Sequence, residues 1–337
     1  MNTPLPSARY AFQQIHAAAP ALRIRYREGV VVGPHGFPEW DQYARAVVEL
    51  PPPLAGLSMD EVRVLGVLVG NELMARAGDP LWPPVEDGPP PTPAGWTWAY
   101  QAMTRRVALV PAELHGSFRH LGGLSTLRLA RGRRGVTVDR PDPVAVGFAE
   151  RVADDALAKL EEGLGYALPD GYRRFLAETN GGRPRTPAVH PRHGFVADQP
   201  MFGLARTDRA QDLTYAPAWF SDRLTGDFLA LGYVQGGLIA LQVRGDDAGS
   251  VWYADDDDYR DVEESGPEEF RGRLLSRCAD DVWAFFGALR PVPRRLLRLA
   301  GIAVDGGHAR RVEDPGFGAA LPAARQAPAP QAPAKQT

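Results

Sequence analysis

The sequence predicts an α+β protein, with a C-terminal antiparallel β-meander packed against helices and a smaller α+β unit before it. Three observations carry that expectation. From Pro169 to Gly182, Tyr172, Phe175, Leu176 and Thr179 fall at i, i+3, i+4 and i+7, the buried stripe of a short helix. Further on, Phe228–Tyr233, Leu238–Val243 and Val251–Tyr253 are apolar, β-branched or aromatic runs separated by Gln235-Gly236-Gly237 and Gly245–Gly249, which is hairpin chemistry. Ahead of both, Ser58 and Glu61 form a capping box opening a helical run.

In chain order, Ala46–Leu50 reads as a short strand. The capped helix follows, with Val62, Leu65, Leu68, Val69 and Leu73 among its apolar positions. A proline-rich loop spans 79–95, then Trp96–Gln101 and Val107–Val110 read as strands. Pro111 and Glu113 open a helix carrying Leu114, His115, Phe118 and His120, with Gly122-Gly123 as its stop. Gly, Arg, Asp and Pro accumulate over Arg131–Pro143, which marks a domain junction, and a helical pattern starts near Val146. Pro169 suits a first helical position, Asp170 complements the helix dipole, and Asn180-Gly181-Gly182 closes the helix. Ser265 and Glu268 form a second capping box, before a helix bearing Phe270, Leu274, Leu275, Cys278, Val282 and Phe286 and stopped by Pro291 and Pro293. The predicted organisation is therefore 1–135, then 143–290, then 291–337 as a short helix and a disordered Pro/Ala/Gln tail.

Composition bounds the function. With 337 residues, 44% hydrophobic and 23% charged, the chain has the make-up of a soluble globular protein of two domains. A net charge of -3 implies no bulk attraction to nucleic acid or to an anionic membrane. The single cysteine, Cys278, forms no intrachain disulfide and suits a reducing compartment; with no signal-peptide pattern or membrane-length apolar run, the expected location is the cytoplasm. No catalytic triad, phosphate loop, dinucleotide fingerprint or zinc-finger spacing appears; His190 and His193, flanking Pro191, are too closely spaced and isolated to read as zinc ligands.

In order and spacing, residues 143–290 resemble the SUKH superfamily, the Smi/Knr-like domains. Leu164, Gly165, Leu168, Pro169, Tyr172, Phe175, Leu176, Asn180, Gly181 and Gly182 fill its first block, and Gly232, Gly236, Gly237, Ile239, Leu241, Gly249, Val251 and Tyr253 its second. The resemblance implies immunity against bacterial polymorphic toxins, exercised by binding. Residues 25–125 resemble the W-H-H and L-H-H toxin nucleases of the HNH/endonuclease VII group, through Thr97, Trp98, Leu109, Val110, Pro111, Leu114, His115, His120, Gly122 and Gly123.

The departure falls on the chemistry. Where that resemblance implies a histidine pair after the tryptophan, this chain has Ala99 and Tyr100. A metal-dependent nuclease needs a base and a small set of N/O ligands; alanine offers neither, and tyrosine is a poor base and a rare ligand here. His115 and His120 remain, but at i, i+5 they share no helical face, so a metal site is not expected and no cofactor is assigned. Their plainer roles are packing near a helix end and donation to a terminal carbonyl.

Between Asp246 and Glu269 eleven acidic residues stand against Arg260 alone. Such runs are commonly solvated surface. The functional alternative is a partner face for a basic toxin nuclease, formed by Asp246, Asp247, Trp252, Asp255, Asp256, Asp257 and Asp258. Three functions follow: a non-catalytic immunity protein that neutralises a toxin by binding; a metal-dependent nuclease fused to its own immunity domain; and a regulatory scaffold. The first is expected, with 143–290 folding without the N-terminal half.

Overall fold

Backbone pairing assembles two four-stranded antiparallel sheets, each backed by helices, in a computed structural model that describes residues 11–52, 56–126, 134–257 and 275–312. The N-terminal sheet runs in the spatial order His308–Arg311, Ala46–Glu49, Arg106–Pro111, Trp96–Tyr100. Its register sets Ala46 and Trp98 on either side of Leu109 and His308 opposite Glu49. Helices Met59–Arg76 and Arg294–Asp305 pack against one another beside it. The first is buried nearly all round, so it carries no one-sided apolar stripe.

Ser58 caps that helix as its sequence requires: its hydroxyl accepts from the Glu61 N–H at 3.1 Å, and the Glu61 carboxylate accepts from the Ser58 N–H at 3.0 Å. The second helix is the short helix expected after 291; the His308–Arg311 strand corrects the expectation of nothing but a tail beyond it. Residues 308–311 complete the N-terminal sheet, by backbone pairing that four exposed side chains give no sign of. The tail from 313 onward lies outside the described residues.

The C-terminal sheet is the expected meander, Phe228–Val234, Gly237–Gln242 and Val251–Asp255, extended by a fourth strand, Leu275–Ala279. That strand corrects the helix expected through Leu275 and Cys278. Pairing with Val251–Asp255 recruits the segment into the sheet, and the helix begins only at Val282, capped by Asp281. The Ser265–Glu268 capping box lies outside the described residues. Helix Asp170–Thr179 follows its stripe, with Tyr172, Phe175, Leu176 and Thr179 buried and Asn180 left-handed at its end; Pro169 is the cap rather than the first turn. Near Val146 the chain forms a short strand, Val146–Phe148, paired with Gly182–Pro184, and the helix starts later at Asp154.

The halves share a core. One buried cluster joins Trp40, Ala99, Leu114 and Phe118 from the first half to Leu157, Phe175, Phe220, Tyr233 and Phe285 from the second. The Arg131–Pro143 junction is tied down where it is described: Gly135 accepts from Ser58, Thr137 donates to Glu61, and Val136 donates to the Pro191 carbonyl. Buried Gln235, in the turn of the first hairpin, crosses the boundary too; its Oε1 accepts from the Thr97 hydroxyl at 3.1 Å and the Trp98 N–H at 3.0 Å. Among the described residues, no helix is long and apolar enough to cross a membrane.

Candidate functional site

Where the two sheets meet, His115 and His120 come together. The helix expected over this segment ends early, at Gly116, so the i, i+5 argument against a shared face does not apply. The chain turns through Ser117–Arg119 and folds His120 back onto His115, with their Nε2 atoms 3.3 Å apart. Trp40 lies against both, at 4.9 and 5.4 Å between ring centroids, and both histidines are buried.

Each ring has a further partner. His120 Nδ1 faces the Phe118 carbonyl at 3.2 Å, and His115 Nδ1 faces Asp256 Oδ2 at 3.3 Å. Asp256 belongs to the C-terminal sheet's acidic turn, and Arg223, also from the second half, pairs with its other oxygen at 2.7 Å. Burial, then His115, pushes His120 down to about 3. Burial pushes Asp256 up, but Arg223 and His115 more than offset it and hold the carboxyl well below the usual carboxylate range.

Strand alternation decides what happened to the missing histidines. Ala99 lies on the sheet face that packs with Trp40 and Phe118, the side of the histidine pair. Trp98 and Tyr100 point to the opposite face. There Asn71 Oδ1 accepts from the Trp98 indole at 2.8 Å, and the Tyr100 hydroxyl, over Gly66, donates to the Val62 carbonyl at 2.8 Å. Of the two substituted positions only 99 faces the pair, and alanine occupies it.

The acidic run is the largest departure from expectation. Asp255, Asp256 and Asp257 are not an exposed face: Asp256 and Asp257 are 5% and 7% exposed, and all three are paired. Arg63, 2% exposed, reaches Asp60 at 3.0 Å, Asp255 at 2.9 Å and Asp257 at 2.8 Å; Arg134 pairs with Asp255 as well. Burial raises Asp257 with Arg63 opposing, while Arg63 itself is raised because Tyr253 and the carboxylates of Asp255, Asp257 and Asp60 outweigh its burial. Gly122 donates to the Asp256 carbonyl at 2.6 Å, and a Cβ there would run into Asp257. Gly122 therefore admits the acidic turn; it does not stop a helix. Asp258 lies outside the described residues. Asp246 and Asp247 are exposed, Asp247 pairing with Arg277 at 2.9 Å. Trp252 is half-buried against Phe228, and Tyr253 faces the core.

Arg63, Arg134, Arg223 and Trp40 were not singled out from sequence. Trp40 lies within the 25–125 resemblance; the arginines carried no signal, because their acidic partners at 255–257 are remote in the chain.

A nuclease of this type implies a divalent metal. Donor atoms of His115, His120 and Asp256 do lie within 4.8 Å of one another, a grouping not expected from sequence. The set does not fit a catalytic dication. Arg223 already neutralises Asp256, so a second cation would be uncompensated at full burial. His115 engages Asp256 through the nitrogen opposite the one facing His120, and the burial leaves no open position for water and phosphate.

Residues 151–273 match the family model described as the SMI1 / KNR4 family (SUKH-1). Residues 90–130 match that of a nuclease of the HNH/ENDO VII superfamily with conserved WHH. No curated protein matches the chain. The first likeness points to an immunity-type protein with a protein partner, and the second to a toxin-related nuclease.

Proposed function

We propose that this chain is a non-catalytic, immunity-type protein that neutralises a bacterial toxin, a basic nuclease domain, by binding it directly. The SMI1 / KNR4 likeness supports a protein partner. One observation carries the absence of catalysis: the surviving histidine pair faces Ala99 and is closed by Asp256 and Arg223 from the other half of the chain. The chain works in the cytoplasm, where its single thiol stays reduced. Asp246 and Asp247, exposed on the turn between two meander strands, steer the basic partner.

Association with the nuclease domain of a toxin encoded beside it tests this, by surface plasmon resonance at low and high salt alongside a toxin activity assay. We expect a stable complex and an inhibited toxin. Replacing Asp246 and Asp247 with Asn should slow association several-fold at low salt and flatten its salt dependence. An uninhibited toxin at excess of this chain sinks the proposal.

One observation favours a second function, an active metal-dependent nuclease fused to its own immunity domain: His115 and His120 still meet. Metal-dependent cleavage by the purified chain separates the two.

A further inference from the structure

We propose that His190, His193 and Cys278 form a zinc site that ties the hairpin of Ala188–Val189 and Val196–Ala197 to the Leu275–Ala279 strand. Sequence spacing argued against it, because the third ligand comes from a remote strand. The site is separate from the histidine pair and does not depend on the function proposed above.

The three donor atoms lie within 4.8 Å of one another. Tetrahedral zinc, with bonds of about 2.0–2.1 Å to nitrogen and about 2.3 Å to sulfur, separates its donors by roughly 3.3–3.6 Å. Closure of about 1 Å is therefore needed. His193 supplies it, being half-buried on the turn that joins the two hairpin strands.

Ring orientation supports the assignment. His193 Nε2 faces the Arg277 carbonyl at 3.0 Å; donating its proton there leaves the Nδ1 lone pair for a metal, the usual outer support of a ligating histidine. His190 is 4% exposed, and its Nε2 lies against the Cys278 backbone without a well-formed hydrogen bond. A poorly satisfied buried ring nitrogen is costly, and a bound cation satisfies it. His190 Nδ1 receives the His193 N–H at 3.3 Å, long for such a bond. Loading Nε2 places the ring proton on Nδ1, and the same closure that brings His193 inward opens that contact.

The Cys278 thiol has one weak contact, to the Ser276 carbonyl at 3.7 Å. Burial outweighs Arg192 and pushes the metal-free thiol up to about 12, so a metal must displace its proton. Zinc binding replaces the S–H bond with an S–Zn bond and releases one proton to solvent. Two imidazoles and a thiolate select a borderline-soft dication over magnesium or calcium, and three protein ligands leave a fourth position for water.

The test uses the tag-free full chain, stripped with chelator and titrated with cobalt(II). We expect one cobalt per chain, tetrahedral visible bands and a thiolate charge-transfer band, all displaced by zinc. Cys278→Ser should abolish the charge-transfer band, and it and His193→Gln should each weaken zinc binding by more than about 100-fold, beyond what outer partners alone contribute. Metal-free circular dichroism establishes that each variant is folded, and half-exposed His193 provides a second route should Cys278→Ser fail to fold. An octahedral spectrum without charge-transfer intensity, or a tetrahedral one that survives Cys278→Ser, overturns the proposal.

Discussion

At the scale of single residues, Arg63 is the centre of the interface between the halves. It is fully buried and holds Asp60, Asp255 and Asp257. Arg63→Met strands those carboxylates without their main cation, and we expect a loss of about 3–5 kcal/mol, measured by urea unfolding. His120 sets a pH dependence. Its ordinary value is 6.5, and burial with His115 pushes it down to about 3 in the folded chain. Between those values the unfolded chain binds the extra proton, so stability falls as pH drops from about 6.5, by up to about 1.4 kcal/mol per pH unit. Asp256, held low, adds the same sign as pH falls through the carboxylate range. His120→Gln should flatten the upper part of this dependence; an unfolding midpoint unchanged from pH 6.5 to 4.5 in the native chain would contradict it. Little of this was legible in the sequence. A run of four aspartates reads as solvated because its countercharges sit far away: Arg63 is separated from Asp255 by 192 positions.

At the scale of elements, local chemistry was legible wherever it decided the outcome. The Ser58 capping box, the helix over Asp170–Thr179 and the three meander strands follow directly from caps, periodicity and turn glycines. Ser58→Ala should cost about 1 kcal/mol for the cap, and more because the hydroxyl also donates to Gly135, at 2.7 Å. Where pairing partners decided, sequence failed. Leu275 and Cys278 carry a helical spacing, yet the open edge of Val251–Asp255 takes them as a strand. Gly122 likewise looked like a helix stop, but serves the close approach of the acidic turn. Gly122→Ala should therefore destabilise the chain by about 1–3 kcal/mol, as overpacking does, and raise hydrogen exchange in the acidic turn. Unchanged exchange there would show that the turn does not depend on this contact.

At the scale of the whole molecule, the two similarities share one core. Trp40 and Phe118 share a core with Phe175 and Phe285, and Arg63, Gln235 and the His115–Asp256 pair cross the boundary. We expect a single calorimetric transition, with matching calorimetric and van't Hoff enthalpies; two resolved transitions would contradict a shared core. A fragment of 143–290 keeps its sheet but loses Arg63 and His115, so it should unfold at lower urea than the whole chain. We propose that this chain binds a toxin without cutting nucleic acid, because its histidine pair lacks a third ligand at position 99 and is closed by Asp256 and Arg223. The most direct measurement incubates the tag-free full chain with DNA and RNA in magnesium, manganese, nickel or zinc. We expect no cleavage above a protein-free control; metal-dependent cleavage that His115→Ala abolishes would show that the chain is a nuclease.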